Sequence, residues 1–458
     1  MPAQQNQSHF DHLRKKFAFF DFCGFQVLHN DDSFLISFDF DLDGQYRFKP
    51  TLSIPAKPFI RKEIDPQLIK NLAFQIGMVE LVSYWKAACP SKLIISAGYL
   101  DDFQKEWWKK LYFNGLGEFF YLNGLQPDFE DFMQIVINSS HKFEPVSIIT
   151  HQNIVVPVGG GKDSTVTLDL MKASGNRLIP FIINPRKATL ETAKTAGFSL
   201  NQIFSIHRTI DPLLIELNQQ GFLNGHTPFS ALLAFTSFLA AYLTQSSYIA
   251  LSNESSANEP TIPGTNINHQ YSKSIEFEKD FRDYSEKYLS EKIEYFSFLR
   301  PLNELQIAKI FSALKHQHPH FKSCNAGSKT DTWCGKCSKC LFTWIILSPF
   351  FEENELETVF GNNLFNDNTL QPIFDQLTGI ADEKPFECVG TVDEVNTALH
   401  LVINRLDRNE LPVLLDYYMR SAKFGFYFES IRQQNLKAFN PNHFVPPQFE
   451  KLLREAVG

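Results

Sequence analysis

A chain of 458 residues is long enough for two or three domains and at least one sizeable core. It carries 43 basic and 51 acidic residues, net −8, which argues against a protein that grips nucleic acid through its whole surface but leaves room for a local basic pocket. Forty-five phenylalanines in a 43% hydrophobic chain indicate aromatic-rich cores, not disorder.

The opening stretch, MPAQQNQSHFDHLRKKF, lacks the apolar core of a signal peptide. Residues 34–54 alternate as strands around a turn at Asp43-Gly44. Residues 65–88 read as a helix opened by Asp-Pro. Trp107, Trp108, Phe119, Phe120 and Tyr121 follow densely and are expected to pack cores and domain contacts. An α+β N-terminal domain over residues 1–150 is the expectation.

From about residue 152 the rhythm changes. Short apolar strands are predicted at 154–158, 178–183, 202–206 and 248–251, with helices at 164–173, 187–196 and 211–220. This alternation predicts an α/β domain over 151–345 built on a central parallel sheet covered on both faces. Pro157 cannot donate to a ladder, but it falls near its strand's end. Residues 231–243 are too few to span a bilayer and read as a buried helix. Residues 346–458 form a mostly helical C-terminal region, clearest at 392–407 and 410–421. A cytoplasmic protein with no membrane or nucleic-acid partner is expected.

In parallel sheets ligands bind beyond the carboxyl ends of the strands. Three stretches fall there: the loop 159–164, Asn184-Pro185-Arg186-Lys187, and the loop 252–258. The first lies in VVPVGGGKDST (155–165), which fails the Walker pattern because Asp163 follows Lys162 and Val156 replaces the first glycine. It also fails Gly-x-Gly-x-x-Gly, where Ser164 replaces the last glycine. Gly159, Gly160 and Gly161 nevertheless let backbone N–H groups turn toward an anion, and the following helix adds its positive end. Lys162 can supply a point charge, Asp163 can hold Mg²⁺ or cap the helix, and Ser164 can bond a phosphate oxygen. The plain alternative is a glycine-rich turn. Asn184, Arg186 and Lys187 are candidates for nucleotide or carboxylate contact.

Cys324, Cys334, Cys337 and Cys340 place four thiols within one short segment. Such a set suits tetrahedral, structural Zn²⁺, with an iron–sulfur cluster or free thiols as alternatives. Cys23, Cys89 and Cys388 are isolated and expected to be buried.

The run Gly160-Gly161-Lys162-Asp163-Ser164 resembles the Ser-Gly-Gly-x-Asp-Ser loop of the ATP pyrophosphatase (PP-loop) superfamily, with its adenine nucleotide alpha hydrolase-like fold. The resemblance implies cleavage of ATP to AMP and pyrophosphate, with the pyrophosphate cradled by Gly160, Gly161, Asp163 and Ser164. Gly159 departs from the pattern by replacing the usual serine. Arg300-Pro-Leu-Asn-Glu-Leu resembles the Pro-Leu segment that precedes a late helix in the same superfamily.

Together with GHTPFSALLAF (225–235), LSNESSAN (251–258), NHQYSKS (268–274) and WCGKCSKCLF (333–342), the set resembles the ATP-dependent UDP-N-acetylmuramoyl-L-alanyl-L-glutamate epimerase family (MurL-type). That resemblance covers most of the chain. It implies ATP, Mg²⁺ and structural Zn²⁺, a UDP-MurNAc-dipeptide substrate, and inversion of the terminal L-glutamate through carboxylate adenylation. Asp163 would serve activation, and His226, Glu254, His269, Tyr271 and Lys273 lie in matching segments as candidate acid–base groups. Two other readings share parts of the pattern. One is another PP-loop adenylating enzyme, deazaguanine synthase-like or a tRNA-modifying ligase; the other is a nucleotide-binding sensor without turnover.

Overall fold

Alternate side chains of residues 33–42 separate by face: Phe34, Ile36, Phe38, Phe40 and Leu42 are each at most 4% exposed. That period of two makes a strand with one face on a core. The computed structural model describes residues 3–29, 33–55, 57–59, 65–262, 268–430 and 438–458. Its strands are β1 (Phe19–His29), β2 (Ser33–Leu42), β3 (Tyr46–Phe48), β4 (Thr51–Pro55), β5 (Lys92–Ile95), β6 (Gln134–Ile137), β7 (His151–Pro157), β8 (Leu178–Ile183), β9 (Phe204–Arg208), β10 (Ser246–Leu251) and β11 (Glu294–Ser297). The fold is mixed α/β. The chain forms two compact units, each assembled from three stretches. Met1–Val155, Phe204–Ile249 and Gln270–Tyr295 make the first; Val156–Ile203, Ala250–His269 and Phe296–Gly458 make the second.

In the first unit the strands run β9-β4-β2-β1-β5-β6, with β3 added to β2. β1 pairs antiparallel with β2 and parallel with β5, and β5 pairs parallel with β6. The helix Pro66–Trp85, opened by the Asp65 cap as its Asp-Pro predicts, is buried nearly all round. It packs on β1, β2 and the helix Phe229–Leu243. Gly77 makes that approach possible, since a methyl there would lie 2.3 Å from Phe22. The strand predicted at 202–206 is β9, two residues later. Within its unit it pairs antiparallel with β4 (Leu52↔Arg208, Ser53↔His207). Local periodicity marks a strand but does not encode its partner.

In the second unit β8 has the predicted bounds, and the loop after β7 joins it through Val158 N–H donating to Phe181 O at 2.8 Å. In the first unit, β7 and β10 pair parallel through Ser246↔His151, Tyr248↔Ile154 and Ile249↔Val155, as the alternation predicts. The helix Lys162–Lys172 packs against the helices Glu304–Ser312 and Pro447–Val457. Every described regular element after Ser297 is helical. Of the three isolated cysteines only Cys89 is buried; Cys23 and Cys388 are half-buried. Cys23 alternates with buried Phe20 and Phe22 of β1 and so falls on the strand's other face, at the register shift between Phe22 and Gly24. No helix among the described residues is long and apolar enough to cross a membrane.

Candidate active site

Strand β7 ends at Pro157, where a missing N–H costs the ladder little. Gly160 follows at φ +81°, and a Cβ there would lie 3.1 Å from Thr189 N and 3.2 Å from the Ala188 carbonyl carbon. Only glycine permits that turn and that backbone contact. Gly161 is the N-cap of the helix Lys162–Lys172 and has no side chain to cap it. The hydroxyls of Ser164 and Thr165 both donate back to Gly161 O, at 3.1 and 3.0 Å. The helix Lys187–Thr195 starts differently. Asp331 accepts from Lys187 N at 3.0 Å and Ala188 N at 3.3 Å, so an internal carboxylate already satisfies its first amides. Arg186 braces the loop, donating to Gly159 O at 3.3 Å and Ser328 O at 3.0 Å. Asn184, at φ 50°, makes the left-handed turn out of β8.

Lys162 is turned into the protein. It is 2% exposed, and its ammonium contacts the carboxylates of Asp163 and Glu304. Burial works against its charge, but the two carboxylates outweigh burial and hold Lys162 above the usual lysine range. Glu304 opens the helix Glu304–Ser312, and its backbone N–H donates to Glu394 Oε1 at 2.9 Å. Burial pushes the Glu304 carboxyl up to about 8; Lys162 opposes the shift, while Asp163 and Glu254 add to it. Burial raises Glu394 too, although Glu304 N–H and the Thr391 N–H and hydroxyl donate to it.

Glu254 is buried, with Ser256 Oγ donating to its Oε1 at 3.1 Å. Its backbone carbonyl accepts from Arg300 Nη1 at 2.7 Å, and Ser255 N–H donates to Leu302 O at 3.2 Å. The LSNESSAN and RPLNEL stretches, separate in sequence, are therefore laced together. His269, half-buried in the same unit, donates its backbone N–H to Thr261 Oγ1 at 3.1 Å. His226 and Lys273 belong to the first unit. There His226 Nδ1 lies 3.5 Å from Glu118 Oε2, and Lys273 ends a short 3₁₀ turn beside buried Tyr271. Sequence reasoning overlooked Glu304, Glu394 and Asp331. The capping patterns Asn303-x-x-Gln306 and Thr391-x-x-Glu394 were readable, but nothing local signals that Glu304 meets Lys162.

The four clustered cysteines bring their sulfurs within 4.8 Å of one another. Individual separations are 3.9 Å for Cys324–Cys337, 3.7 Å for Cys334–Cys340 and 3.5 Å for Cys337–Cys340. A tetrahedral ion with about 2.3 Å metal–sulfur bonds requires about 3.8 Å between sulfurs, so the set fits one. Gly335 at φ +66° makes the Cys334–Cys337 turn, and Gly327 N–H donates to Cys324 Sγ at 3.0 Å. This is a possible four-cysteine metal site.

The chain matches the MurL N-terminal domain family over residues 11–298 and the MurL C-terminal domain family over residues 320–425. It is 31% identical over 412 residues to the UDP-N-acetyl-alpha-D-muramoyl-L-alanyl-L-glutamate epimerase of Xanthomonas oryzae pv. oryzae (strain MAFF 311018), covering 88% of this chain and 90% of that protein. A protein of the same name from Micromonospora sp. (strain ATCC 39149 / NRRL 15099 / SCC 1413) is 31% identical over 436 residues, covering 91% and 94%. Another, from Salinispora tropica (strain ATCC BAA-916 / DSM 44818 / JCM 13857 / NBRC 105044 / CNB-440), is 33% identical over 389 residues, covering 82% and 83%. The protein is thus an enzyme of the isomerase class. With both domain families matched in order, the chain belongs to the MurL epimerase family.

Proposed function

We propose that the enzyme inverts the terminal L-glutamate of UDP-MurNAc-L-Ala-L-Glu, a peptidoglycan precursor, after adenylating its carboxylate. The names of the relatives support the substrate. The observation that carries the ATP part is the start of the helix Lys162–Lys172, where a three-glycine loop leaves the first amides without a side-chain cap at the N-cap residue. A helix end of that kind favours an anion such as the pyrophosphate leaving ATP.

The chemistry explains why an isomerase needs ATP. An α-proton beside a carboxylate is barely acidic, because its removal concentrates negative charge. Joining the carboxylate to AMP, with loss of pyrophosphate, gives an acyl group whose enolate is far more accessible. A base then removes the α-proton, a proton returns to the opposite face, and water releases AMP. Gly160, Gly161 and Ser164 would frame the pyrophosphate site, and Asp163 would hold the Mg²⁺ that accompanies ATP. Arg186 and Asn184 hold the loop's flank. His226, Glu254, His269 and Lys273 are the candidates for moving the proton. Cys324, Cys334, Cys337 and Cys340 would hold a structural Zn²⁺, which with four thiolates keeps no open position for substrate.

The test is incubation of the full chain with UDP-MurNAc-L-Ala-L-Glu, ATP and Mg²⁺ in D₂O. Deuterium should appear at the glutamate α-carbon of a D-Glu product, with AMP and pyrophosphate formed. ADP in place of AMP, or an unexchanged α-carbon during turnover, overturns the reading.

A further inference from the structure

The loop's own hydroxyls are both committed. Ser164 and Thr165 donate to the Gly161 carbonyl, and Lys162 points away into its two carboxylates. A pyrophosphate here needs a hydroxyl donor from elsewhere. The segment before the first metal-site cysteine lies along the loop, with Lys322 N–H donating to Gly160 O at 2.8 Å. The next residue, Ser323, brings its Oγ to 2.7 Å from where a Gly161 Cβ would stand. Among the described residues this half-buried hydroxyl makes no hydrogen bond, and Cys324 beside it is one of the four clustered thiols.

We propose that Ser323 is the hydroxyl donor to the leaving pyrophosphate, held over Gly161 by the Lys322–Gly160 bond and by the four-cysteine site. This rests on the pyrophosphate reading above. It also gives Gly161 a second reason to lack a side chain, because any Cβ would displace the Ser323 hydroxyl. Gly161 itself sits at φ −93°, which alanine adopts freely, so a methyl there tests the contact and not the backbone. At Gly159 an added Cβ meets nothing within 4 Å and φ is not left-handed, so a serine fits there and offers a replacement hydroxyl.

The experiment measures binding of inorganic pyrophosphate with Mg²⁺ to the full chain by calorimetry, alongside metal content and thermal melting. S323A should weaken binding about tenfold, the loss typical of one hydrogen bond to a charged group, with metal content and melting unchanged. G161A should weaken it similarly, and G159S combined with S323A should recover most of the loss. Wild-type affinity in S323A overturns the assignment of Ser323 alone. A wild-type protein that does not bind pyrophosphate overturns the pyrophosphate reading and this assignment with it.

Discussion

Lys162 and Glu304 form the most consequential pair in the second unit, because neither is in water. Removing Lys162 takes from buried Glu304 and from Asp163 the donor they share, at a cost of about 1–3 kcal/mol for a buried polar group left unsatisfied. K162M should therefore destabilise the protein by this amount in denaturant melts, and K162M with E304Q should recover part of that. The pair also sets a pH dependence. Glu304 is raised in the folded state from an ordinary value of 4.5 to about 8, facing Lys162, Asp163, Glu254 and Lys339. A group that holds its proton more tightly when folded contributes fully below its unfolded pKa and loses that contribution as pH rises through about 8. Melting temperature should fall across pH 5 to 8.5 in the wild type, and E304Q should flatten this fall. At this scale the sequence was partly legible. The glycines, Asp163 and Ser164 announced the loop because turn and cap chemistry is local, but the inward turn of Lys162 depends on a carboxylate 142 residues away.

At the scale of an element, the helix Ser338–Leu347 joins the cysteines to the rest of its unit. It begins at the Cys337 N-cap and carries Cys340 in its first turn. Glu387 accepts from Lys339 N–H at 2.6 Å, and the Lys339 ammonium contacts the Cys388 carbonyl. A helix start gains from such a carboxylate, so the thiol pair and the 387–388 segment are fixed together. Loss of an ion from the four thiols would loosen both. The purified protein should contain about one metal per chain, and a strong chelator should lower its melting temperature by on the order of 10 °C. Unchanged melting after the metal is gone would defeat a structural role. The Cys-x2-Cys spacing made the thiol cluster readable in advance, though not the helix that carries part of it. The capping by Glu387 was not, because it spans 48 residues.

At the scale of the molecule, the strand and helix sites between 154 and 251 were legible from period and punctuation, and most ends fell within about two residues. The interleaving was not. Each unit draws on three separate stretches, and periodicity describes neighbours along the chain, not across it. The first unit needs β9 on the edge of β4 and the helix Phe229–Leu243 against Pro66–Trp85. A fragment of residues 1–155 should therefore show no cooperative thermal transition by near-UV circular dichroism, whereas the full chain should show one.

The distance between Lys162 and Glu304 has a meaning in time as well. At about 5–20 residues per second, a ribosome releases the lysine on the order of ten seconds before the glutamate that will neutralise it. Through that interval the glycine loop exists without its buried counter-charge, and without Ser323 or the cysteines. The surroundings of the glycine loop are thus finished late, by the last third of the chain.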